Sequence, residues 1–171
     1  MVERQYDLMS TWHLDADPES VWSVIADPDM SWPTWWPGCS FGGPLVRSAI
    51  SSESPAAVLL ATTAPLRFRA ALGYKLGITV HPTMVKPPHR IEFDAGGDLV
   101  GTGSVALFPA GRDGPLTKMQ IEWRVRPTQR WMRLLTPIAA PAFTAAHRHL
   151  MRKGERGLRA ELAGVKTCNG K

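Results

Sequence analysis

After Pro141 the apolar residues Phe143, Ala146, Leu150, Met151, Gly154, Leu158 and Leu162 recur every three or four positions. Arg148, Arg152, Lys153, Glu155, Arg156 and Arg159 fall on the other side of the same helical wheel. A stripe of this kind belongs to an amphipathic α-helix with one dry face. The whole segment from Thr128 to Gly164 reads as helical, with Pro137 and Pro141 forcing a break or kink near its middle. A single long helix cannot bury its stripe against itself. The rest of the chain has to supply a surface of comparable length.

The preceding residues have the period of strands. "YDLMSTWHL" (6–14) alternates Tyr6, Leu8, Ser10, Trp12 and Leu14 against Asp7, Met9, Thr11 and His13. "TKMQIEWRV" (117–125) puts Met119, Ile121, Trp123 and Val125 on one face and Lys118, Gln120, Glu122 and Arg124 on the other. Residues 74–85, 89–95 and 99–108 follow the same rule, and 56–63 and 66–72 read as strands interrupted by Pro65. One apolar face and one polar face mark an antiparallel sheet covered on a single side. The fold class is therefore α+β, with the last helix packed diagonally across one sheet and Trp123, Phe143 and Leu150 buried between them.

Two short helices are expected after the first strand. Asp17 can cap a helix that starts at Pro18 and stops before Asp27-Pro28. "DMSWPTWWPG" (29–38) then places Trp32, Trp35 and Trp36 between prolines that allow at most one or two helical turns. Rings on so short an element must bury themselves against something else. They either plug one end of the core or line the mouth of a ligand cavity.

The 171 residues suit one domain, expected over 1–163, with 164–171 as a flexible C-terminal tail. No run approaches the roughly 18 consecutive apolar residues of a membrane span, so stable membrane insertion is not expected. "MVERQYDLMS" (1–10) carries early acids and no long apolar core, so a secretory leader is not expected. Cys39 and Cys168 suggest neither a disulfide framework nor a metal site, and fit a reducing cytoplasm. Residues 1–111 hold 7 basic and 11 acidic residues, a balance of −4, whereas 112–171 hold 13 and 4, a balance of +9. Most of that positive charge lies on the wet face of the C-terminal helix, interspersed with Glu155 and Glu161, so nucleic acid is not an expected partner.

Catalytic motifs are sparse. The chain has no Gly-rich phosphate loop, zinc-type Cys/His spacing or Gly-x-Ser-x-Gly elbow, and no cofactor or metal is expected. "GDLVGTG" (97–103) lies between two strands and reads as a turn followed by a strand that bends or admits close approach. His147 falls within the apolar stripe, four residues from both Phe143 and Met151. It is either a structural histidine bonded to a strand carbonyl or to Tyr74, or a ligand donor and general acid/base. Gly154 on the same stripe points to close approach of helix and sheet. Tyr74 sits on the apolar side of its strand and offers an inward hydroxyl. Glu92 faces outward, and Asp98 organises its turn.

The stretches "ADPESVWSVIADPDMSWPTWWPG" (16–38), "PPHRIEFDAGGDLVGTG" (87–103), "IEWRVRPTQRWMRLLTPIAAPAF" (121–143) and "HRHLMRKGERGLRAEL" (147–162) together resemble the START-like, helix-grip superfamily and its polyketide cyclase/dehydrase-type proteins. The resemblance covers nearly the whole chain and is weakest at 39–73. It implies a curved antiparallel sheet wrapped around the long C-terminal helix, with a deep pocket between them for a hydrophobic or aromatic small molecule. Trp32, Trp36, Tyr74, Trp123, Phe143, His147 and Met151 would then contact the ligand, and His147, the catalytic candidate, or Tyr74 would move a proton. Binding without catalysis is the leading reading. An aromatase/cyclase or dehydrase acting on a polyketide-like substrate is the alternative, and an interaction module using the outer sheet face is a second. No cyclase residue set carries over position by position.

Overall fold

Polar-apolar alternation in the sequence becomes a single curled sheet in the computed structural model, which describes residues 5–50, 52–69, 74–111, 116–129 and 136–168. The elements are β1 (Tyr6–Leu14), α1 (Pro18–Ile25), α2 (Trp32–Trp35), β2 (Cys39–Phe41), β3 (Val46–Arg47), α3 (Pro55–Leu60), β4 (Thr62–Arg69), β5 (Lys75–Lys86), β6 (Arg90–Gly97), β7 (Leu99–Pro109), β8 (Thr117–Pro127) and α4 (Thr136–Cys168). Strand order is β1-β8-β7-β6-β5-β4-β2, every neighbour antiparallel, with β3 pairing β4 beside β2. The helices α1, α2 and α4 close the concave side.

Register fixes which residues share that side. Tyr6, Leu8, Ser10, Trp12 and Leu14 stand opposite Val125, Trp123, Ile121, Met119 and Thr117. Those in turn face Gly101, Gly103, Val105, Leu107 and Pro109 on β7, and Ile91, Phe93 and Ala95 continue the rows on β6. Trp12, Leu14, Val80, Leu66, Val125 and Leu158 are almost wholly enclosed. At about 25 cal/mol per Å2 of apolar area, each such side chain contributes ~1.5–3 kcal/mol of transfer free energy.

α1 forms as its cap signal requires. Asp17 Oδ1 accepts from Ser20 N at 2.8 Å, and Pro18 occupies the first turn, where a missing N–H costs nothing. The stretch 56–63 departs from its expected strand. Residues 55–60 are the helix α3, capped by Ser54 Oγ accepting from Ala57 N, and only from Thr62 does the chain become β4. An apolar run of this length has no decisive period, and the Ser-Pro start decides for helix. Pro65 does not interrupt β4. Its carbonyl accepts from Gly42 N on the side where the partner changes from β2 to β3, so its missing N–H faces a gap in the ladder. Residues 70–72 of the other expected strand lie outside the described residues.

α4 is also corrected at both ends. Thr128 and Gln129 are not helical and instead bond Gly97 O and Asp98 Oδ1. At the other end the helix continues past the expected Gly164 as far as Cys168. Its path follows the edge strand rather than crossing the sheet diagonally. Phe143 meets Tyr6, His147 meets Ser10, Gly154 meets Trp12, and Glu155 and Arg159 meet His13. The seven strand steps from Tyr6 to His13 span ~23 Å, and the twelve to sixteen helical steps from Phe143 to Glu155 and Arg159 span ~18–24 Å, so helix and strand advance together.

Candidate functional site

The three tryptophans of α2 and its C-cap divide into different roles. Trp32 Nε1 donates to Ile25 O at 2.9 Å, tying α2 to the end of α1. Trp35 stacks on Trp36 with ring centroids 5.7 Å apart. Trp36 enters the space between sheet and helix, edge-on to Trp12 at 5.4 Å and to Phe68 at 5.5 Å, and donates from Nε1 to Leu150 O at 3.3 Å. α4 admits these rings through two glycines. A Cβ at Gly154 would lie 2.5 Å from Trp36 Cε2 and 2.7 Å from Trp12 Cη2. A Cβ at Gly157 would fall 1.8 Å from the Trp35 carbonyl oxygen.

Beyond this aromatic wall the concave face is less completely covered. Tyr6, Leu8, Trp123, Phe143, His147 and Leu150 are only partly buried, although all belong to the rows that sheet and helix turn toward each other. Trp123, Phe143 and Leu150 thus differ from the full burial expected. Met151 is buried. Phe143 and Tyr6 are in ring contact at 4.7 Å. Trp123 meets Phe93 edge-on at 4.9 Å, and the Phe93 ring lies where a side chain on Gly103 would otherwise stand, 2.4 Å from such a Cβ.

His147 Nε2 lies 3.4 Å from Ser10 Oγ, a long hydrogen bond. Neither Tyr74 nor a strand carbonyl is its partner. Burial with no charged partner pushes the imidazole down to about 4, so it is neutral at physiological pH. Tyr74 has its hydroxyl engaged at the end of its strand. Its hydroxyl donates to Asp98 Oδ2 at 3.3 Å, and desolvation, followed by the Asp98 charge and that bond, raises its pKa. Asp98 also accepts from Gly77 N at 2.8 Å and Gln129 Nε2 at 2.8 Å, so it organises the junction of β5, the β6–β7 turn and the end of β8.

Sequence reasoning missed Ser10, Phe93, Gly103 and Gly157. Ser10 was visible as the one polar residue in the inward row of "YDLMSTWHL". Gly157 carried no signal, because its requirement depends on where the Trp35 carbonyl lies.

The outer face of the sheet has a different character. An open groove of about 250 Å3 there is lined by Arg90, Glu92, Asp94, Ser104, Glu122 and Arg124, among others. Such a lining suits polar groups rather than an apolar ligand. Among the described residues no group of three or more His, Cys, Asp or Glu could hold a metal ion, and no helix is long and apolar enough to cross a membrane.

No protein-family sequence model matches the chain, and no curated protein matches it by sequence. Solved structures do match. A conserved protein from Geobacillus kaustophilus superposes with a TM-score of 0.65 at 14% identity, covering 93% of this chain and 96% of that one. The di-domain ARO/CYC BexL from the BE-7585A biosynthetic pathway gives 0.62 at 16% identity, covering 91% of this chain and 49% of BexL. A protein from Thermus thermophilus gives 0.58 at 15% identity, covering 91% and 99%. The chain has the helix-grip fold. At these identities the likeness establishes architecture, and the chemistry has to be argued from the chain's own residues.

Proposed function

We propose that the chain binds a hydrophobic or aromatic small molecule in the concave space between the sheet and α4. The observation that carries this reading is the partial burial of Tyr6, Leu8, Trp123, Phe143 and Leu150 on a face where Trp12, Leu14, Ile121, Val125 and Met151 are closely enclosed. Apolar and aromatic walls with few polar groups are what a binding site for such ligands requires. BexL, an ARO/CYC of the same fold, is consistent with a cyclic or polyketide-like ligand. Trp36 and Trp32 stand at the wall of the site, Trp123 lines its sheet side, Phe143 and Met151 line its helix side, and His147 orients the ligand. Tyr74 has its hydroxyl engaged with Asp98 and offers the ligand its ring alone.

Binding is favoured over catalysis by the chemistry of His147. A group whose conjugate acid titrates at about 4 is a weak base at neutral pH. Ser10 is the one described side chain within hydrogen-bond reach of it, and a proton-transfer site needs a better matched pair. As an enzyme, the chain would use His147 as the proton carrier and would act as an aromatase/cyclase or dehydrase. Cys39 is a buried free thiol pushed up to about 12 by desolvation, so it is protonated at neutral pH and supplies no nucleophile.

Titration with 2-naphthol, read by tryptophan fluorescence, tests the proposal. Saturable binding is expected, weakened about fivefold in His147→Ala, the equivalent of ~1 kcal/mol for one neutral hydrogen bond. Binding that is indifferent to His147→Ala and Phe143→Ala together, or no binding up to the solubility limit, contradicts it. In the enzyme reading, His147→Ala lowers turnover more than affinity.

A further inference from the structure

The outward residues of β7 are small. Thr102, Ser104 and Ala106 stand between Arg90, Glu92 and Asp94 of β6 and Gln120, Glu122 and Arg124 of β8. Long side chains on both flanks and short ones between them make a trough along β7, about 9.5 Å between the flanking backbones. The groove of about 250 Å3 on the outer face lies in this trough. Ser104 is at its floor, only 7% exposed, and its hydroxyl meets no hydrogen-bond partner among the described residues. Unlike the indole nitrogens of Trp35 and Trp123, its Oγ keeps surface open to the groove. A hydroxyl held nine-tenths buried, unpaired and facing open space is a group that a ligand can complete.

Charge selects what that ligand is. Three carboxylates and two arginines line the groove, a balance of −1. Arg90 Nε donates to Glu92 Oε1 at 2.8 Å, which leaves the second oxygen of that carboxylate available. Asp94 and Arg124 flank Thr102 in the next row, one acid and one base that offset each other. Glu122 is left uncompensated, with no ion-pair partner among the described residues. Glu122 and Glu92 are the residues directly opposite Ser104 on its two sides, and cross-strand partners of this kind have Cβ atoms ~5 Å apart. Three acceptors, one hydroxyl and two carboxylates, therefore border the same stretch of the groove. An anion is repelled there by both carboxylates. A primary ammonium carries three N–H donors on one centre, whereas the planar guanidinium fork suits a single carboxylate.

Independently of the concave site, we infer that this trough binds a small primary alkylamine in its ammonium form. The ammonium donates to Ser104 Oγ and to the carboxylates of Glu92 and Glu122, and its alkyl chain lies along the trough toward Thr102. Hydrogen bonds from a charged donor are about twice as strong as neutral ones, which offsets the desolvation of Ser104. The neutral Asp94–Arg124 row gives a second positive charge no matching site, so a monoamine fits better than a diamine.

Two probes test this directly. n-Butylamine, protonated at pH 7 as a lysine side chain is, and butyltrimethylammonium share a charge and a chain and differ in their N–H donors. The readout is the amide resonances of Glu92, Ser104 and Glu122 in a 15N-labelled chain, titrated at constant ionic strength. Saturable binding of n-butylamine is expected with a Kd on the order of 1 mM, about tenfold tighter than that of butyltrimethylammonium. Ser104→Ala keeps the small floor and removes the hydroxyl, and should weaken binding about fivefold. Glu122→Gln keeps the shape and removes the charge, and should weaken it about tenfold. Equal affinity for the two cations, or an affinity unchanged in both variants, is what diffuse attraction to an acidic surface gives, and overturns the site. Absence of saturation far above the expected Kd overturns it too.

Discussion

Gly154 and Gly157 show how single residues decide the packing of α4. Alanine is worth ~1 kcal/mol more than glycine inside a helix, yet a Cβ at either position lands on another group. At Gly154 the obstacles are two ring edges, so Gly154→Ala should lose stability by a net ~1–2 kcal/mol as the rings shift. At Gly157 the obstacle is the Trp35 backbone carbonyl, which cannot rotate away, and Gly157→Ala should cost more. Urea unfolding midpoints check both the sign and the order. Propensity alone predicts stabilisation in each case. His147 supplies a second test. Its folded pKa of about 4 lies below the ordinary 6.5, so the unfolded chain binds the extra proton between those values. Stability is therefore fully present above pH 6.5 and falls as pH drops toward about 4, by an amount on the order of 3 kcal/mol. His147→Gln should flatten that part of the profile, and an unchanged slope contradicts the assigned burial. The place of His147 in the apolar stripe was legible from its spacing to Phe143 and Met151. Its pairing with Ser10 was not, because spacing within one element says nothing about which strand residue lies beneath. Tyr74 failed for a related reason. Parity along 74–80 puts it inward, but at the strand end a carboxylate from the neighbouring turn captures its hydroxyl.

Among the elements, β1 leans on its partner helix, since among the described residues one side of this edge strand has no neighbouring strand. α4 supplies substitutes at one point. His13 N donates to Glu155 Oε1 at 3.1 Å, and Arg159 donates to His13 O at 2.7 Å while pairing with Glu155 at 3.0 Å. The clamp satisfies both edge-facing backbone groups of His13 and blunts that end of the edge against pairing with another chain. Arg159 is about half exposed, so its contribution is screened and Arg159→Ala should cost no more than ~1 kcal/mol. The sharper expectation is local. Amide hydrogen exchange at His13 should accelerate in Glu155→Ala, with the Leu14 amide much less affected. Equal acceleration along β1 points instead to general loosening of the helix. Elements with long uninterrupted alternation were readable from the sequence, β1 and β8 above all. α3 was not, since a short apolar run fits either helix or strand until Ser54-Pro55 is weighted as a start signal. The two-residue β3 and three-residue β2 are too short to carry any period.

For the molecule as a whole, the division into an apolar concave face and a charged outer face separates two kinds of partner. The exposed arginines Arg148, Arg152, Arg156 and Arg159 lie along α4 with Glu155 and Glu161 among them, and no row of aromatic rings accompanies them for bases to stack on. DNA binding in the submicromolar range at physiological ionic strength is therefore not expected, and an electrophoretic shift under those conditions contradicts this. The architecture was legible because a sheet with one dry face and a single amphipathic helix leave few ways to cover each other. What the concave face is proposed to bind was not legible, since it depends on gaps that appear only once several strands bring their inward residues together. The most direct test is to place an apolar aromatic molecule and see where it sits. Intermolecular NOEs between bound fluorene and side-chain protons should include Val105, Ile121, Met151 and the rings of Tyr6 and Phe143. Contacts confined to the outer face, around Glu92, Ser104 and Glu122, contradict the concave site.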